Sequence, residues 1–174
     1  GHGWVSLKNA MKQSCDTYFY EVSRLLGVDR LNITAEKFGL GKKVLDQYFD
    51  NEKKGLFPNT KWKKNNLGKG WVLGETLITG IGQGYIQTTP LQLCMMTAQI
   101  ANGGYSIKPK IVVDNNPLTL EEAKKSMKDE LLHDTTKKLF QNKKNIKIVQ
   151  EAMFSSTNER FGTSYKSRID DPKY

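Results

Sequence analysis

The feature that most constrains the fold is a long tract, residues 71–107, in which Glu75 is the only charged side chain. Lys-rich segments precede and follow it, and the whole chain of 174 residues carries a formal net charge of +9. A stretch that avoids charge over this length is typical of a buried centre with a solvated periphery. We therefore expect the fold to be organised around this tract.

A helix is predicted inside this tract by two independent signals. Thr89 and Gln92 form a capping box, and Pro90 takes the first helical position. The helix should run until Asn102-Gly103-Gly104 turns the chain. Because it is apolar on nearly every side, we expect it to be buried, with Cys94 as a small core residue.

Further helices are predicted by capping residues followed by apolar stripes. The first runs from Ser6 to about Gln13, the second from Tyr18 to Leu26 with Asp16 or Thr17 as its cap, and the third from Asp29 to Gly39. A fourth begins at the capping box Thr119/Glu122. A fifth runs from Asn145 to about Ser155, and its predicted inner face is Ile146, Val149 and Met153. Residues 105–113 indicate a short edge hairpin or extended arm. The fold class is therefore mostly α, with six or seven helices and very little strand.

By length the chain is one domain. Residues 41–70 show no periodicity and are interpreted as a long surface excursion, while residues 117–144 form a Lys-rich, variable helical segment. The excess of Lys favours solvated faces. The alternative is a non-enzymatic basic module that binds nucleic acid or an anionic surface. No nucleic-acid motif accompanies the charge, so we expect no nucleic-acid partner.

Several kinds of site are excluded by spacing. The two cysteines and the two histidines have no zinc-site spacing, and a Cys15–Cys94 disulfide is disfavoured. The tract Gly80-Ile-Gly-Gln-Gly84 lacks the spacing of a nucleotide-binding loop and is interpreted as a tight turn before a buried helix. No G-x-S-x-G occurs, so a Ser-His-Asp triad is unsupported.

The segment Ser14-Cys15-Asp16 allows two interpretations. A Ser and a carboxylate two residues apart at a helix start suit a proton relay, yet they lack the activated nucleophile that acyl transfer needs. Ser and Asp are also the commonest N-cap residues. Local sequence alone favours capping.

A set of motifs in fixed order decides between these interpretations. The segments are Gly1-His-Gly3, Ser14-Cys-Asp-Thr-Tyr-Phe-Tyr20, Gly74-Glu-Thr76, Gly80-Ile-Gly-Gln-Gly84 and Thr89-Pro-Leu-Gln-Leu93. Together they resemble the transpeptidase domain of class B penicillin-binding proteins, most closely the elongation-type branch, penicillin-binding protein 2. The resemblance covers most of the chain and is loosest at residues 41–70 and 117–144.

This family uses S-x-x-K, S-x-N and K-T-G motifs. Ser14-Cys15-Asp16 matches the second, with Asp in the place of Asn as in elongation-type members. No Ser in this sequence has Lys three residues on, and no Lys precedes Thr-Gly. We therefore expect residues 1–174 to be the central part of one transpeptidase domain, truncated at both ends and inactive alone.

The resemblance implies the rest of the functional prediction. The fold would be the helical part of an α+β serine-transpeptidase fold. Ser14 and Asp16 would be catalytic in a D,D-transpeptidase that cross-links peptidoglycan stem peptides ending in D-Ala-D-Ala and binds β-lactams. It implies no metal or organic cofactor, a partner in the elongation glycosyltransferase, and a location at the periplasmic face of the inner membrane through an N-terminal transmembrane helix.

Overall fold

The computed structural model describes residues 2–109, 111 and 137–169. These residues form seven α-helices and one 3₁₀-helix, and the chain packs into two compact units. The first unit comprises Gly1–Ile33, Pro58–Ile86 and Asn142–Tyr174, and the second comprises Thr34–Phe57 and Gln87–Gln141. The helices are α1 (Leu7–Lys12), α2 (Asp16–Leu26), α3 (Val28–Lys37), α4 (Thr60–Leu67), α5 (Leu73–Thr79), α6 (Pro90–Ala101) and α7 (Lys143–Asn158), followed by the 3₁₀-helix Tyr165–Ser167.

The first unit is built from two helix pairs, α1 on α7 and α2 on α5. Small side chains lie at these contacts: Ala10 of α1 and Ala152 of α7 are fully buried. Ser23 of α2 is buried as well, and a Cβ atom on Gly80 would collide with its hydroxyl. Gly80 is therefore required by space, since α2 and the end of α5 approach too closely for any side chain.

The second unit is held by two buried amides of α6. Gln92 donates from Nε2 to the carbonyls of Lys42 (2.7 Å) and Lys54 (2.8 Å), and its Oε1 accepts the Thr89 N–H (3.0 Å). Gln99 donates to the Phe38 carbonyl at 3.0 Å. Buried amides of this kind satisfy backbone carbonyls that would otherwise lose their hydrogen bonds to water.

The predicted signals for α6 are confirmed, but its predicted burial is wrong. The capping box forms in both directions and Pro90 opens the helix. Only the stripe of Gln92, Met95 and Gln99 is buried, whereas Leu93 is 45% exposed and Cys94 is exposed. Apolar composition does not reveal which face of a helix packs against the rest of the unit. Here the hydrogen bonds of the buried amides determine which face of α6 turns inward. Cys94 is thus not a core residue, and both cysteines are free thiols.

Two helices were not predicted. α4 lies inside the segment interpreted as a surface excursion, where Asn59 caps it by accepting the Trp62 N–H at 2.7 Å. α5 follows directly, and its Glu75 accepts the Val72 N–H at 3.0 Å. α4 lacks an apolar stripe, and α5 is only seven residues long, too short for its periodicity to stand out in the sequence.

Three side-chain predictions are wrong. Asp29 is not the cap of α3, because the helix begins at Val28 and the carboxylate accepts the Thr60 N–H (2.9 Å) instead. Met153 of α7 is 40% exposed, and α7 buries Ile146, Ala152 and Ser155. The predicted cap of α2, Asp16 or Thr17, is also wrong, because Cys15 occupies the N-cap position.

In the part of the chain that the structure describes, β pairing is limited to two isolated antiparallel bridges, Leu56–Gln87 and Tyr105–Lys138. The mostly α prediction is therefore confirmed. The predicted turn at Asn115-Asn116-Pro117 and the Thr119/Glu122 helix lie outside the described residues. No helix in the described ranges is long and apolar enough to cross a membrane.

Candidate active site

Ser14 occupies a left-handed position at the end of α1, with φ at 51°. The Cys15 N–H donates to the Ala10 carbonyl (2.9 Å), and the Ser14 N–H donates to the Met11 carbonyl (3.2 Å). This pair of bonds is a Schellman motif, which satisfies carbonyls left free at the helix end. Cys15 and Ala10 are both buried and occupy the two positions at which apolar residues usually accompany this motif.

Three other helices of the same chain end in the same motif with glycine at the left-handed position. Those glycines are Gly39 after α3, Gly82 after α5 and Gly103 after α6. A residue with a Cβ atom pays about 1 kcal/mol or more for this conformation. Ser14 therefore occupies a position that the chain elsewhere gives to glycine, and helix termination does not explain its hydroxyl.

The structure does not support the interpretation of Ser14 and Asp16 as helix caps. The N-cap of α2 is Cys15, which makes no side-chain capping bond, and Asp16 is the first helical residue. Neither Asp16 nor Thr17 is the cap that the sequence suggested. The Asp16 carboxylate instead lies where the positive end of the helix dipole favours a negative charge.

Ser14 and Asp16 are both exposed, and Cys15 between them is buried. Among the described residues, no side chain or backbone group forms a hydrogen bond with the Ser14 hydroxyl or the Asp16 carboxylate. The motif thus presents a hydroxyl, which can both donate and accept, and an acceptor carboxylate to solvent from a rigid base. Such a pair can pass a proton or hold an amide group of a ligand.

The aromatic run after the motif packs within the first unit. Tyr18 and Phe19 meet edge to face at 5.4 Å, and both are half-buried, as is Tyr20. The run therefore contributes part of its ring area to the packing of the first unit.

A buried ion pair supports the Gly74-Glu-Thr76 segment. Lys63 of α4 donates to Glu75 of α5, and only 6% of the Lys63 side chain is exposed. Tyr85 donates to the same carboxylate at 3.3 Å, and the Lys63 ammonium lies 5.8 Å from the Trp71 ring centroid. Sequence reasoning missed this pair, because Lys63 lies among other lysines of residues 41–70.

The pKa of Glu75 reflects two opposed effects. Burial raises it, but the hydrogen bonds from Lys63 and from the Val72 N–H, together with the Lys63 charge, outweigh burial and leave the pKa below its usual value. The Glu75 carboxylate is therefore ionised at neutral pH. In the described ranges, no group of three or more His, Cys, Asp or Glu side chains could hold a metal ion.

The sequence matches one protein-family model along its whole length. Residues 1–174 match the penicillin binding protein transpeptidase domain. The chain is 42% identical over 113 residues to the peptidoglycan D,D-transpeptidase MrdA of Acinetobacter baumannii, covering 64% of this chain and 16% of that protein. It is 32% identical over 170 residues to MrdA of Salmonella typhimurium, covering 95% of this chain and 26% of that protein.

Solved structures agree with the sequence matches. Pseudomonas aeruginosa PBP2 in complex with WCK 5153 matches with a TM-score of 0.74 and 36% identity, over 94% of this chain and 35% of that one. PBP2 in the Helicobacter pylori PBP2–MreC complex matches with a TM-score of 0.77 and 29% identity, over 99% of this chain and 29% of that one.

The chain spans only 16% to 26% of the length of these curated relatives. Within that share, the family model, the relatives and the solved structures agree on a single family. The chain belongs to the penicillin-binding protein transpeptidase family, in the PBP2 (MrdA) branch.

Proposed function

We propose that this chain is the part of a peptidoglycan D,D-transpeptidase that carries the second catalytic motif, with Ser14 as the proton relay. The observation that carries the proposal is the left-handed Ser14, a serine at a Schellman position that three other helices of the chain give to glycine. Strain of this kind persists where the surrounding structure enforces it, and it concentrates at functional sites.

The reaction needs a nucleophilic serine that this sequence does not contain in an S-x-x-K motif. Its oxygen attacks the carbonyl of the penultimate D-Ala, the peptide bond to the terminal D-Ala breaks, and the leaving amine takes up a proton. An amine of a second stem peptide then attacks the ester and returns a proton to the serine oxygen. Ser14 would pass the proton in both steps, because a hydroxyl both donates and accepts.

Asp16 would hold amide groups of the stem peptide or of the motif loop, since a carboxylate accepts hydrogen bonds from N–H groups. β-Lactams would acylate the same nucleophile. The 174 residues alone would therefore be inactive, and the full-length protein would carry the activity. The family match gives no support to the alternative of a basic binding module.

We further propose that the full-length protein works at the periplasmic face of the inner membrane with an elongation glycosyltransferase. One matching structure is a PBP2–MreC complex, which supports membership of a cell-wall assembly for this protein as well.

The proposal is tested by labelling the full-length protein with a fluorescent penicillin. Ser14→Ala should lower the second-order acylation rate about 100-fold or more, the size expected for loss of a proton-transfer group. The 174-residue segment alone should not be labelled. Asp16→Asn, which restores the common form of the motif, should keep a substantial rate.

Ser6→Ala is the matched control. Ser6 also lies at an end of α1, but it is an ordinary N-cap whose hydroxyl accepts the Asn9 N–H at 3.4 Å. We expect S6A to lower stability by about 1 kcal/mol and to leave acylation unchanged. A wild-type acylation rate in S14A would refute the relay.

A further inference from the structure

The end of α1 that precedes Ser14 is held by hydrogen bonds to residues near the other end of the sequence. Glu159, the C-cap of α7, accepts hydrogen bonds from Lys12 at 2.8 Å and from Lys8 at 3.0 Å. Both lysines project from α1 one helical turn apart. The Ser155 hydroxyl donates to the same carboxylate at 2.8 Å and holds it from its own helix.

Lys12 is held at its backbone as well as at its side chain. Its carbonyl, one of those left free at the end of α1, accepts the Thr163 N–H at 3.1 Å. Its side chain is only 12% exposed. Glu159 and Thr163, which we call the α1 clamp, therefore fix the residue two positions before Ser14.

The turn between these two residues is itself strained. Phe161 has φ at 69°, and Ser14 and Phe161 are the two non-glycine residues with positive φ in the described ranges. A Cβ atom on Gly162 would collide with the Ser156 carbonyl. The chain thus adopts a costly turn where it brings Glu159 and Thr163 onto α1.

We propose that Glu159 is a positioning residue of the transpeptidase site, which acts through Lys12 and Lys8 to hold Ser14 in its left-handed conformation. This inference rests on the proposed role of Ser14. The Schellman motif fixes Ser14 only if the last turn of α1 stays wound. Glu159 and Thr163 keep it wound by holding the side chain and the carbonyl of Lys12.

The charge state of the clamp is stable. Hydrogen bonds from Lys12, Ser155 and Lys8 lower the pKa of Glu159 to about 2. The carboxylate is therefore ionised at neutral pH and lies between the ammonium groups of the two α1 lysines.

The test compares Glu159→Gln with Glu21→Gln in the full-length protein. Glu21 forms an exposed ion pair with Arg24 on α2, so E21Q removes an ion pair of the same kind without touching α1. We expect E159Q to lower penicillin acylation about 10-fold, because small displacements of a catalytic group are costly. It should also raise hydrogen exchange at the Ser14 and Cys15 amides severalfold. E21Q should change neither.

Three further variants make the result specific. Glu159→Asp keeps the charge and should recover most of the rate. Lys12→Met should slow acylation like E159Q, and the K12M/E159Q double variant should be no slower than the slower single variant, because both remove one interaction.

The outcomes separate this inference from the proposed function. If S14A slows acylation and E159Q does not, the positioning role is wrong and the relay stands. If S14A keeps the wild-type rate, the relay itself is wrong. A slow E159Q with unchanged exchange at Ser14 and Cys15 overturns the positioning role too.

Discussion

At the scale of single residues, the proposed relay Ser14 holds a left-handed conformation that costs stability. Glycine at this position would relieve the left-handed strain, as it does at Gly82 after α5. We expect Ser14→Gly to be more stable than Ser14→Ala by about 1 kcal/mol, measured by urea unfolding, while both lose the same fraction of the acylation rate.

Gly82→Ala is the reverse control for this prediction. No atom lies within 4 Å of a Cβ added at Gly82, so only the positive φ of 79° opposes alanine. We expect G82A to lose about 1 kcal/mol. If S14G is no more stable than S14A while G82A is destabilised, the left-handed strain at Ser14 is not what limits stability there.

Sequence motifs named Ser14 and Asp16 as site residues, but local sequence could not separate a relay from a helix cap. The difference lies in a backbone angle, and the usual marker of that angle, glycine, is missing at position 14. One usable signal of a Schellman motif was present: Ser14 is followed by apolar Cys15, as Gly39 is followed by Leu40. Glu159 gave no signal, since it lies 147 residues from Lys12.

At the scale of helices, the buried pair between α4 and α5 should contribute more than any exposed pair. Lys63→Met would leave Glu75 without its cation in a site where only 16% of its side chain is exposed. We expect K63M to cost about 2–3 kcal/mol in urea unfolding, somewhat below the usual figure for a fully buried pair.

Lys61→Met on the exposed face of α4 is the matched control and should change stability by no more than about 0.5 kcal/mol. The K63M/E75Q double variant should cost less than the sum of its two single variants, because the second change removes the unpaired charge. Strict additivity would show that Lys63 and Glu75 do not stabilise each other.

Helix prediction succeeded where local chemistry decided the element. The Ser6 cap of α1 and the Thr89/Gln92 box of α6 are both set by neighbouring residues, and both are confirmed. α4 failed because its sequence, Thr-Lys-Trp-Lys-Lys-Asn-Asn-Leu, has no apolar stripe. Its buried face centres on Lys63, whose partner Glu75 lies on another helix.

At the scale of the whole molecule, each compact unit combines segments that are distant in sequence. The first unit joins the beginning of the chain to Asn142–Tyr174. Capping residues and apolar stripes correctly indicated a mostly α chain, but they could not show this partition. The partition depends on long-range contacts such as those of Glu159, which composition does not encode.

Those long-range contacts make the stability of the whole protein depend on acidity in a defined window. The pKa of Glu159 falls from 4.5 to about 2, chiefly through its hydrogen bonds with Lys12, Ser155 and Lys8. A lowered carboxyl pKa stabilises the folded state fully above the unfolded pKa, and this stabilisation is lost as pH falls toward the folded pKa.

The difference in unfolding free energy between wild type and E159Q should therefore stay constant from about pH 5 to 8 and shrink between about pH 4.5 and 2. Urea unfolding of both proteins across this range measures it, with E21Q as the exposed-pair control. A difference that instead stays constant down to about pH 2 would mean that the pKa of Glu159 is the same in the folded and unfolded states and that Lys8 and Lys12 do not stabilise its charge.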